Sequence, residues 1–421
     1  MRLNPDKTTR STAVAKTSCR ICGSTDLMPY VNLGAQPPSN AFIDLSDIAT
    51  EQAFPLRVNL CRECLLSQLS HVVSAASIFD EYAYLSSSSR ALVQYYQEFI
   101  DKVVERFKPS PGSVVVDIGS NDGIMLRRYP RDRFLVIGVE PSSAADHAVR
   151  DGFDIVCDFF GHDAIQQIVS RYGRASIITA TNLLAHVDDL NAFAHNVHNL
   201  LDDEGVFIAE FPYLIDMLEK VYFDTIYHEH LSYLSLTPLS HLLSSNGLRV
   251  FHVERSAFGA SGPALRLFVC RAPAARRTDS TVGDLLAFER RWRIGDPGRY
   301  HRFAAEVRTV KDKLHTLLAE LAGSGQKIGA FTAPAKGNTL LNFLGLTPDD
   351  IVAAAENNPR KIGKVTPGSH IPIVSDEAFL AMRLPYALLL SWNYADFFCQ
   401  HSDYAKNGGR LIVPLPEPTI L

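Results

Sequence analysis

The segment DTIYHEHLSYLS, from Asp224 to Ser235, contains two histidines, a glutamate and two tyrosines. An imidazole titrates near neutral pH, so it can take a proton from a substrate or hold a metal ion. In an extended segment His228 and His230 would point to the same side and could bind a metal together with Glu210 or Asp224. A polar stripe without chemistry is the third interpretation, and the segment alone does not decide among them.

Four of the seven cysteines form two Cys-x-x-Cys pairs, Cys19 with Cys22 and Cys61 with Cys64. Two thiolates at this spacing can grip one zinc ion from a tight turn, and a second such turn completes a tetrahedral site. A redox motif is the alternative for a single pair, and disulfides are not expected in a reducing compartment. Because four thiolates leave no open coordination position, we expect one structural Zn²⁺ rather than a catalytic one.

A glycine-rich turn follows the first predicted strand of the middle region. GSVVVDIGSNDGIMLRRYP (112–130) predicts a buried strand, Val114 to Ile118, then this turn and a helix, and RFLVIGVE predicts a second strand that ends in Glu140. In doubly wound folds such glycines let the backbone approach a ligand, and the acid accepts ribose hydroxyls. Asp117 and Asp122 suit a pyrophosphate poorly. A cationic ligand that carries a ribose, such as S-adenosylmethionine, fits better, with a Rossmann-like domain for another ligand as the alternative.

Further strand and helix units follow, and they are FDIVCDFF (153–160), ASIITATNLLAHVDDL (175–190) and LLDDEGVFIAEFPYL (200–214). A third region begins near residue 271, after a polar break. One apolar face predicts a long helix there, and its members are Phe303, Val307, Val310, Leu314, Leu317 and Leu321. GQKIGAFTAPAKGNTLLNFLGL (325–346) then repeats the order strand, turn and helix. Lys336 near the helix start predicts a phosphate site, and a merely solvated lysine is the alternative.

The composition indicates a globular protein of two or three domains. The chain has 421 residues, of which 46% are hydrophobic and 21% charged, and its net charge is −5. This charge provides no general attraction for nucleic acid or an anionic membrane. The first residues lack the apolar core of a signal peptide, and no apolar run approaches the ~20 residues that span a bilayer. We therefore expect a cytoplasmic protein, monomeric or a small homo-oligomer, that binds neither nucleic acid nor membrane.

The order of the motifs resembles the S-adenosylmethionine-dependent sugar C-methyltransferases over nearly the whole chain. The resemblance is carried by the two cysteine pairs, VVVDIGSNDGIML, GVEPSS, CDFF, FPYL…F…IYHEHLSY and GAFTAPAKGNTLLNF…ENNPRKIGKVTPGSHIPI…WNY. Members of this family methylate C3 of nucleotide-linked 4-keto-6-deoxysugars. The resemblance implies an α/β fold with a central Rossmann-like class I methyltransferase domain (76–270), a zinc-binding N-terminal domain (1–75) and a C-terminal Rossmann-like substrate-binding domain (271–421).

The resemblance also implies roles for single residues. His230 is expected to remove the proton beside the ketone, where the carbon is acidified, and the developing enolate needs hydrogen-bond donors. The other acceptor-site residues implied are Tyr227, Glu229, Tyr84 and His186. The residues expected around S-adenosylmethionine are Asp117, Gly119, Asn121, Gly123, Glu140, Pro141, Asp158, Phe159 and Asn182. From the strand, turn and helix at 327–342, whose helix start offers backbone donors, the diphosphate of the sugar nucleotide is expected near Lys336, Asn338 and Trp392.

One loop departs from the family pattern, and two other function classes stay open. Where the family has HGG before a strand, this chain has AFGASGPALRLFV (257–269), which would allow an acceptor that differs near C3 or C5. The first alternative class is a nicotinamide-dependent nucleotide-sugar oxidoreductase with KGNTLLN as its cofactor turn, but G-x-G-x-x-G is missing. The second is a non-catalytic zinc-knuckle binding protein, against which stand the intact residues Asp117, Gly119, Gly123 and Glu140.

Overall fold

The computed structural model describes residues 13–74, 85–259 and 262–421. Within them the chain forms sheets of four, seven and six strands and a two-stranded ribbon. One apolar cluster runs through all three sheets and includes Leu56, Val116 and Leu388. Among the helices of these ranges, none combines the length and the apolar character that crossing a bilayer requires. Tyr84 lies outside the described residues, so its role stays a prediction.

The N-terminal sheet is antiparallel and takes one strand from far along the chain. Its order is β11-β4-β3-β2, with β2 at Leu27–Gln36, β3 at Phe54–Cys61, β4 at Ser67–Leu69 and β11 at Ser232–Tyr233. Ser232 pairs with Gln68, and Tyr233 pairs with Ser67. The ribbon consists of β1 (Ala13–Ala15) and β5 (His71–Val73). A division of the chain at residue 75 therefore leaves this sheet without its edge strand.

The central sheet has seven strands in the order β12-β13-β10-β9-β6-β7-β8. All neighbours pair in parallel except β13, which runs antiparallel to both β10 and β12. The predicted strand Val114–Ile118 is confirmed at its bounds, and its five residues are all buried, as helices on both faces require. The strands are β6 (Val114–Ile118), β7 (Leu135–Val139), β8 (Asp154–Val156), β9 (Ala175–Thr181), β10 (Leu201–Pro212), β12 (Leu248–Ser256) and β13 (Ala264–Arg271).

The α-helix predicted directly after the glycine-rich turn is wrong. The chain makes successive turns there and only one 3₁₀ turn, Leu126–Arg128. Gly123 has a φ of +85°, outside the helical region, and Pro130 disfavours helical geometry just before it. The helices of this part are α1 (Arg90–Phe107), α2 (Ala145–Arg150), α3 (His162–Tyr172), α4 (Leu190–Leu200), α5 (Leu214–Glu219), α6 (Leu236–Ser245) and α7 (Ser280–Trp292).

The C-terminal sheet is parallel apart from its last strand, in the order β16-β15-β14-β17-β18-β19. The predicted strand, turn and helix at 325–346 are confirmed as β14 (Ile328–Phe331) and α9 (Ala335–Leu344). The remaining strands are β15 (Ala354–Glu356), β16 (Ile373–Ser375), β17 (Tyr386–Leu389), β18 (Arg410–Val413) and β19 (Thr419–Ile420). The remaining helices are α8 (Pro297–Gly323), α10 (Asp376–Ala381), α11 (Ala395–His401) and α12 (Asp403–Lys406).

The long helix α8 ties the C-terminal region to the N-terminal sheet. Asp296 caps its first turn through a hydrogen bond from the Gly298 amide, and Pro297 opens it. The predicted apolar face is right as far as Leu314. The next fully buried position is Leu318, while Leu317 and Leu321 lie at the edge of the core. Near the N-terminal end of α8, the rings of Tyr300 and Phe303 pack on Tyr30 of β2, with centroids 4.9 and 6.3 Å away.

Candidate active site where the three domains meet

The four cysteines of the two pairs converge on one point. Their sulfurs all lie within 4.8 Å of one another, with 3.4 Å between Cys19 and Cys64 and 3.6 Å between Cys22 and Cys61. A tetrahedral zinc with Zn–S bonds of about 2.3 Å separates its sulfurs by roughly 3.8 Å. The donor set and its spacing therefore fit a structural Zn²⁺. In the described ranges, no second group of His, Cys, Asp and Glu is arranged to hold a metal ion.

The cysteine cluster is fastened to the central domain through the residues between its ligands. The side chain of Arg20 is buried, and its Nε donates to Asp188 Oδ1 at 3.0 Å while an Nη donates to the carbonyl of Leu69. Asn191 Nδ2 donates to the carbonyls of Arg20 and Ile21. Asp188 and Asn191 lie just after His186, so the cluster braces the segment that carries this histidine.

His230 is held as a neutral imidazole with a defined tautomer. Its Nδ1 lies 2.8 Å from the carbonyl of Thr225, which can only accept, so Nδ1 carries the proton. Nε2 then presents its lone pair and accepts from the hydroxyl of Tyr227 at 2.8 Å. Burial lowers the pKa of His230 to about 4, although the Thr225 carbonyl opposes the shift. At neutral pH the ring is thus in the form that can take up a proton.

His186 meets His230 edge to face. The two ring centroids are 4.9 Å apart and the planes are at 86°. Desolvation, and then the proximity of His230, lower the pKa of His186 to about 3. Since His186 follows β9 by five residues, it links the carboxyl end of the central sheet to the DTIYHEHLSYLS segment. The structure thus brings together three of the predicted acceptor-site residues, Tyr227, His230 and His186.

The expected parallel orientation of His228 and His230 is wrong, because the segment turns rather than extends. A 3₁₀ turn, Phe223–Thr225, is followed by a turn closed from the amide of His230 to the carbonyl of Tyr227. His228 points away to the N-terminal sheet, where its Nε2 lies 3.2 Å from the carbonyl of Phe54. A metal site shared by these two histidines is therefore not formed.

Glu229 is buried, with 3% of its surface exposed, and faces the N-terminal domain. Asn40 Nδ2 donates to its Oε1 at 2.7 Å. Burial raises the pKa of Glu229 to about 7, and the hydrogen bond from Asn40 opposes this shift. Nothing in the sequence singled out Asn40. The only signal was its place in QPPSNAF, a proline-rich loop with a polar tip, and such loops are common without any function.

Two carboxylates stand at the carboxyl ends of β6 and β7. Glu140 Oε2 accepts from the amide of Asn121 and Oε1 from the amide of Ser142, both at 2.9 Å. Asp117 Oδ1 accepts from the hydroxyl of Thr179 at 2.6 Å. Burial raises the pKa of Asp117 to about 7; the Thr179 hydroxyl lowers it, and the nearby charge of Glu140 raises it further. Glu140 is thus fixed by the turn whose glycines were predicted to line the cofactor.

The turn itself needs the residues it has. Gly119 and Gly123 have φ values of +72° and +85°, and Asn121 has +49°. At Gly123 a Cβ atom would also come within 2.9 Å of the Cβ of Ala148. Glycine is the residue that takes up this backbone without strain, and asparagine tolerates it better than most others. The turn therefore keeps its amides close to Glu140.

The other predicted cofactor residues follow neighbouring strands of the same sheet edge. Asp158, which accepts from the amide of Phe159, comes after β8, and the ring of Phe159 is 55% exposed. Asn182, with a φ of +54°, follows β9 and donates to the hydroxyl of Tyr96. The structure therefore gathers at one edge the full predicted set, Asp117, Gly119, Asn121, Gly123, Glu140, Pro141, Asp158, Phe159 and Asn182. This is the edge at which doubly wound sheets bind ligands.

Lys336 and Trp392 face the DTIYHEHLSYLS segment from the C-terminal domain. The Lys336 ammonium lies 4.0 Å from the centre of the Trp392 ring and donates to Asn393 Oδ1. Trp392 Nε1 donates to Asp224 Oδ2 at 2.5 Å, and Asp224 is fully enclosed. Burial lowers the pKa of Lys336 to about 8, and the charge of Asp224 opposes it. The interpretation of Lys336 as a solvated lysine is wrong, since only 9% of it is exposed.

Asn338 is not placed to contact a ligand in this structure. It has no exposed surface, and its Nδ2 donates to the carbonyl of Ser39 at 2.6 Å. It lies in the first turn of α9, and its side chain is directed at the N-terminal domain. The side chain fastens two domains to each other.

The loop that departs from the family pattern borders both the central and the C-terminal domain. The ring of Phe258 stands 5.2 Å from Tyr95 of α1 and 6.1 Å from Tyr394, which precedes α11. Tyr95 in turn donates to Glu210, which also binds Arg266. An aromatic contact thus occupies the part of this loop that the structure describes.

Three family models match the chain along its length. They are a zinc binding domain (residues 19–79), a methyltransferase domain (92–253) and a C-methyltransferase C-terminal domain (259–416). Among curated proteins, the C-methyltransferase NovU of Streptomyces niveus is 34% identical over 406 residues, which is 96% of each chain.

Solved structures of methyltransferases match part of the chain. An S-adenosylmethionine-dependent methyltransferase from Clostridium acetobutylicum has a TM-score of 0.35 at 14% identity, and the match covers 42% of this chain and 92% of that one. The magnesium protoporphyrin IX methyltransferase of Synechocystis, solved with bound S-adenosylmethionine, has a TM-score of 0.32 at 15% identity, covering 42% and 79%.

Proposed function

The chain belongs to the C-methyltransferase family and depends on S-adenosylmethionine, and from this premise we propose that it methylates C3 of a nucleotide-linked 4-keto-6-deoxysugar. The observation that carries the proposal is the neutral His230, whose Nε2 lone pair meets the Tyr227 hydroxyl at 2.8 Å. A C–H bond becomes acidic enough for an imidazole only beside a group such as a ketone. Family membership favours this reaction over a nicotinamide-dependent oxidoreductase and over a non-catalytic zinc protein.

His230 is the base in this proposal. Its Nε2 takes the proton from C3, and the Thr225 carbonyl on Nδ1 stabilises the imidazolium that forms. The low pKa keeps the ring unprotonated before the reaction, and the negative charge that develops on the sugar favours the protonated ring as the proton moves. Tyr227, which leaves Nε2 before C3 reaches it, donates to the oxygen at C4, where the enolate charge collects.

The cofactor is bound along the edge that follows β6 to β9. When bound, S-adenosylmethionine supplies an electrophilic methyl group carried on a sulfonium. Glu140, held by two backbone amides, keeps lone pairs with which to accept the ribose hydroxyls. Asp117 adds a second acidic group that favours a cation at this edge. His186 follows β9 at this edge and contacts His230, so the proposed base lies next to the proposed cofactor site.

The diphosphate is proposed to lie near Lys336 and Trp392. Trp392 donates to Asp224, and the charge of Asp224 also acts on Lys336. Asp224 directly precedes Thr225, whose carbonyl holds His230. An anion that binds beside this buried lysine stabilises its charged form and so raises its lowered pKa. Phe258, in the loop that departs from the family pattern, is proposed to border the sugar ring.

The test is an exchange experiment with the wild-type enzyme. A panel of nucleotide-linked 4-keto-6-deoxysugars is incubated in D₂O with S-adenosylhomocysteine, and deuterium at C3 is followed by NMR. We expect exchange at C3 for at least one member, and transfer of one methyl group to the same carbon when S-adenosylmethionine replaces the product. A panel in which no sugar exchanges or gains a methyl group would exclude this substrate class.

A further inference from the structure

The loop between β2 and β3 is held between the other two domains at one dipeptide. Asn338 Nδ2 donates to the carbonyl of Ser39 at 2.6 Å, and the hydroxyls of Ser39 and Thr339 lie 3.3 Å apart. The next residue, Asn40, donates to Glu229 Oε1 at 2.7 Å. Contacts from α9 thus fix the backbone of Ser39, and Asn40 projects from that fixed point to the residue beside His230.

Glu229 has fewer partners than a buried carboxylate needs. Its two oxygens can accept about four hydrogen bonds. In the described part of the chain Asn40 is the sole hydrogen-bond donor to this side chain, and no cation acts on it. Buried carboxylates are normally satisfied, because an unpaired one costs several kcal/mol. The remaining acceptor capacity of Glu229 is therefore available to a bound molecule that carries hydroxyl groups.

From this arrangement we propose that Asn40 is a positioning residue of the acceptor site, which holds the Glu229 carboxylate in the orientation that accepts a hydroxyl of the sugar ring. The inference rests on the proposed function, since it assigns the ligand of Glu229 to the acceptor sugar. It assigns to the N-terminal domain a part in substrate binding that is separate from its zinc cluster. The C-terminal domain takes part as well, because Asn338 and Thr339 set the position of Ser39.

The alternative for Asn40 is a purely structural contact between domains. If the contact is purely structural, replacing Asn40 would lower the stability of the protein. The affinities for the cofactor and the sugar would then change together or not at all. A positioning role instead confines the effect to the sugar. It also makes the effect depend on Glu229, because Asn40 has no other reason to matter.

The experiment is a double-mutant cycle with the ketosugar substrate. KM and kcat are measured for wild type, Asn40→Ala, Glu229→Ala and the double variant. We expect Asn40→Ala to raise the KM of the sugar by roughly 10- to 100-fold, as for loss of a hydrogen bond to a charged group, with the affinity for S-adenosylmethionine unchanged. The KM of the double variant for the sugar should be no higher than the KM of Glu229→Ala. Asn32→Ala is the matched control, since this exposed asparagine of β2 accepts from the Gly34 amide and makes no other side-chain hydrogen bond within the described residues.

Each result supports or overturns the inference. It is overturned if Asn40→Ala leaves the sugar KM unchanged, if the two single effects simply multiply, or if a lower melting temperature comes with equal losses for cofactor and sugar. If Glu229→Ala also has no effect while wild type still exchanges C3, then the assignment of Glu229 fails and the proposed function stands. If wild type acts on no ketosugar, the proposed function fails and this inference fails with it.

Discussion

The Tyr227 hydroxyl donates to the Nε2 atom of His230 at 2.8 Å, and so covers the lone pair that a base would use. The other nitrogen, Nδ1, is already committed to the carbonyl of Thr225. A substrate carbon can reach Nε2 only if Tyr227 turns aside, and its hydroxyl can then donate to the substrate instead. The pair thus keeps the base protected until an acceptor with a suitable oxygen arrives.

Replacing His230 by alanine should abolish the proton transfer but not cofactor binding. We expect both C3 exchange and methylation to fall by roughly 10²- to 10⁴-fold, which is what a general base contributes. Calorimetry with S-adenosylmethionine should give the wild-type affinity. His228→Gln is the control, because it can keep a donor toward the Phe54 carbonyl and lies outside the proposed chemistry. Full exchange in His230→Ala would pass the role of base to another residue, with His186 the next to test.

Replacing Glu140 by alanine should weaken cofactor binding selectively. The carboxylate is fixed by the amides of Asn121 and Ser142, and its loss removes the acceptor proposed for the ribose hydroxyls. We expect an affinity loss of ~1.5–3 kcal/mol for S-adenosylmethionine, measured by calorimetry. Glu105→Gln on the exposed face of α1 serves as the control. An unchanged affinity would remove Glu140 from the ribose site.

Replacing Glu229 by glutamine should stabilise the protein in mildly alkaline solution. The folded-state pKa of Glu229 is raised to about 7 by burial, above its ordinary 4.5, so the folded state binds the extra proton. The stability that comes from this bound proton is therefore complete below pH 4.5 and is lost as the pH rises through 7. At pH 8 the glutamine, which keeps an oxygen for Asn40, should gain about 3 kcal/mol over wild type, and near pH 4.5 almost nothing. Melting temperatures of both proteins across this pH range would show it, and a constant difference would contradict it.

Replacing Cys61 by serine should remove the zinc and the fold around it. Purified wild type should contain about one zinc per chain, because the four sulfurs form a closed thiolate site. In Cys61→Ser, metal analysis should find little zinc, and proteolysis should attack the N-terminal residues, since the metal stabilises its own domain. Cys399→Ser, far from the cluster, should keep the metal. A zinc-free wild type with an intact N-terminal domain would disprove the zinc site.

Features written in a short stretch of sequence were predictable. Val114–Ile118 is a run of buried strand residues, and the spacing within each Cys-x-x-Cys pair is enough to predict zinc ligands. The helix expected after the glycine-rich turn failed because Gly123 and Pro130 outweighed the general βα pattern. Asn40 could not be predicted from the sequence at all, since it meets Glu229 across 189 positions and only the packing of three domains creates that contact.

The same limit applies to the C-terminal domain. The sequence pointed to Lys336 at a helix start, and the structure places it there. It did not reveal that Trp392 would lie over the lysine and reach Asp224. Local pattern gives the element on which a side chain stands, whereas its partners depend on how distant elements pack.

The pairing of β11 with β4 has a consequence for biosynthesis. Ribosomes make a chain from its N-terminus, and domains usually fold as they emerge. Here the backbone of Ser67 and Gln68 lacks its β11 partners until Tyr233 has been made. The edge of the N-terminal sheet therefore stays unpaired while the strands of the central sheet up to β10 are translated. Open edges recruit other strands, so a fragment that stops at residue 75 should be prone to self-association. The N-terminal sheet therefore completes its folding together with the central domain rather than before it.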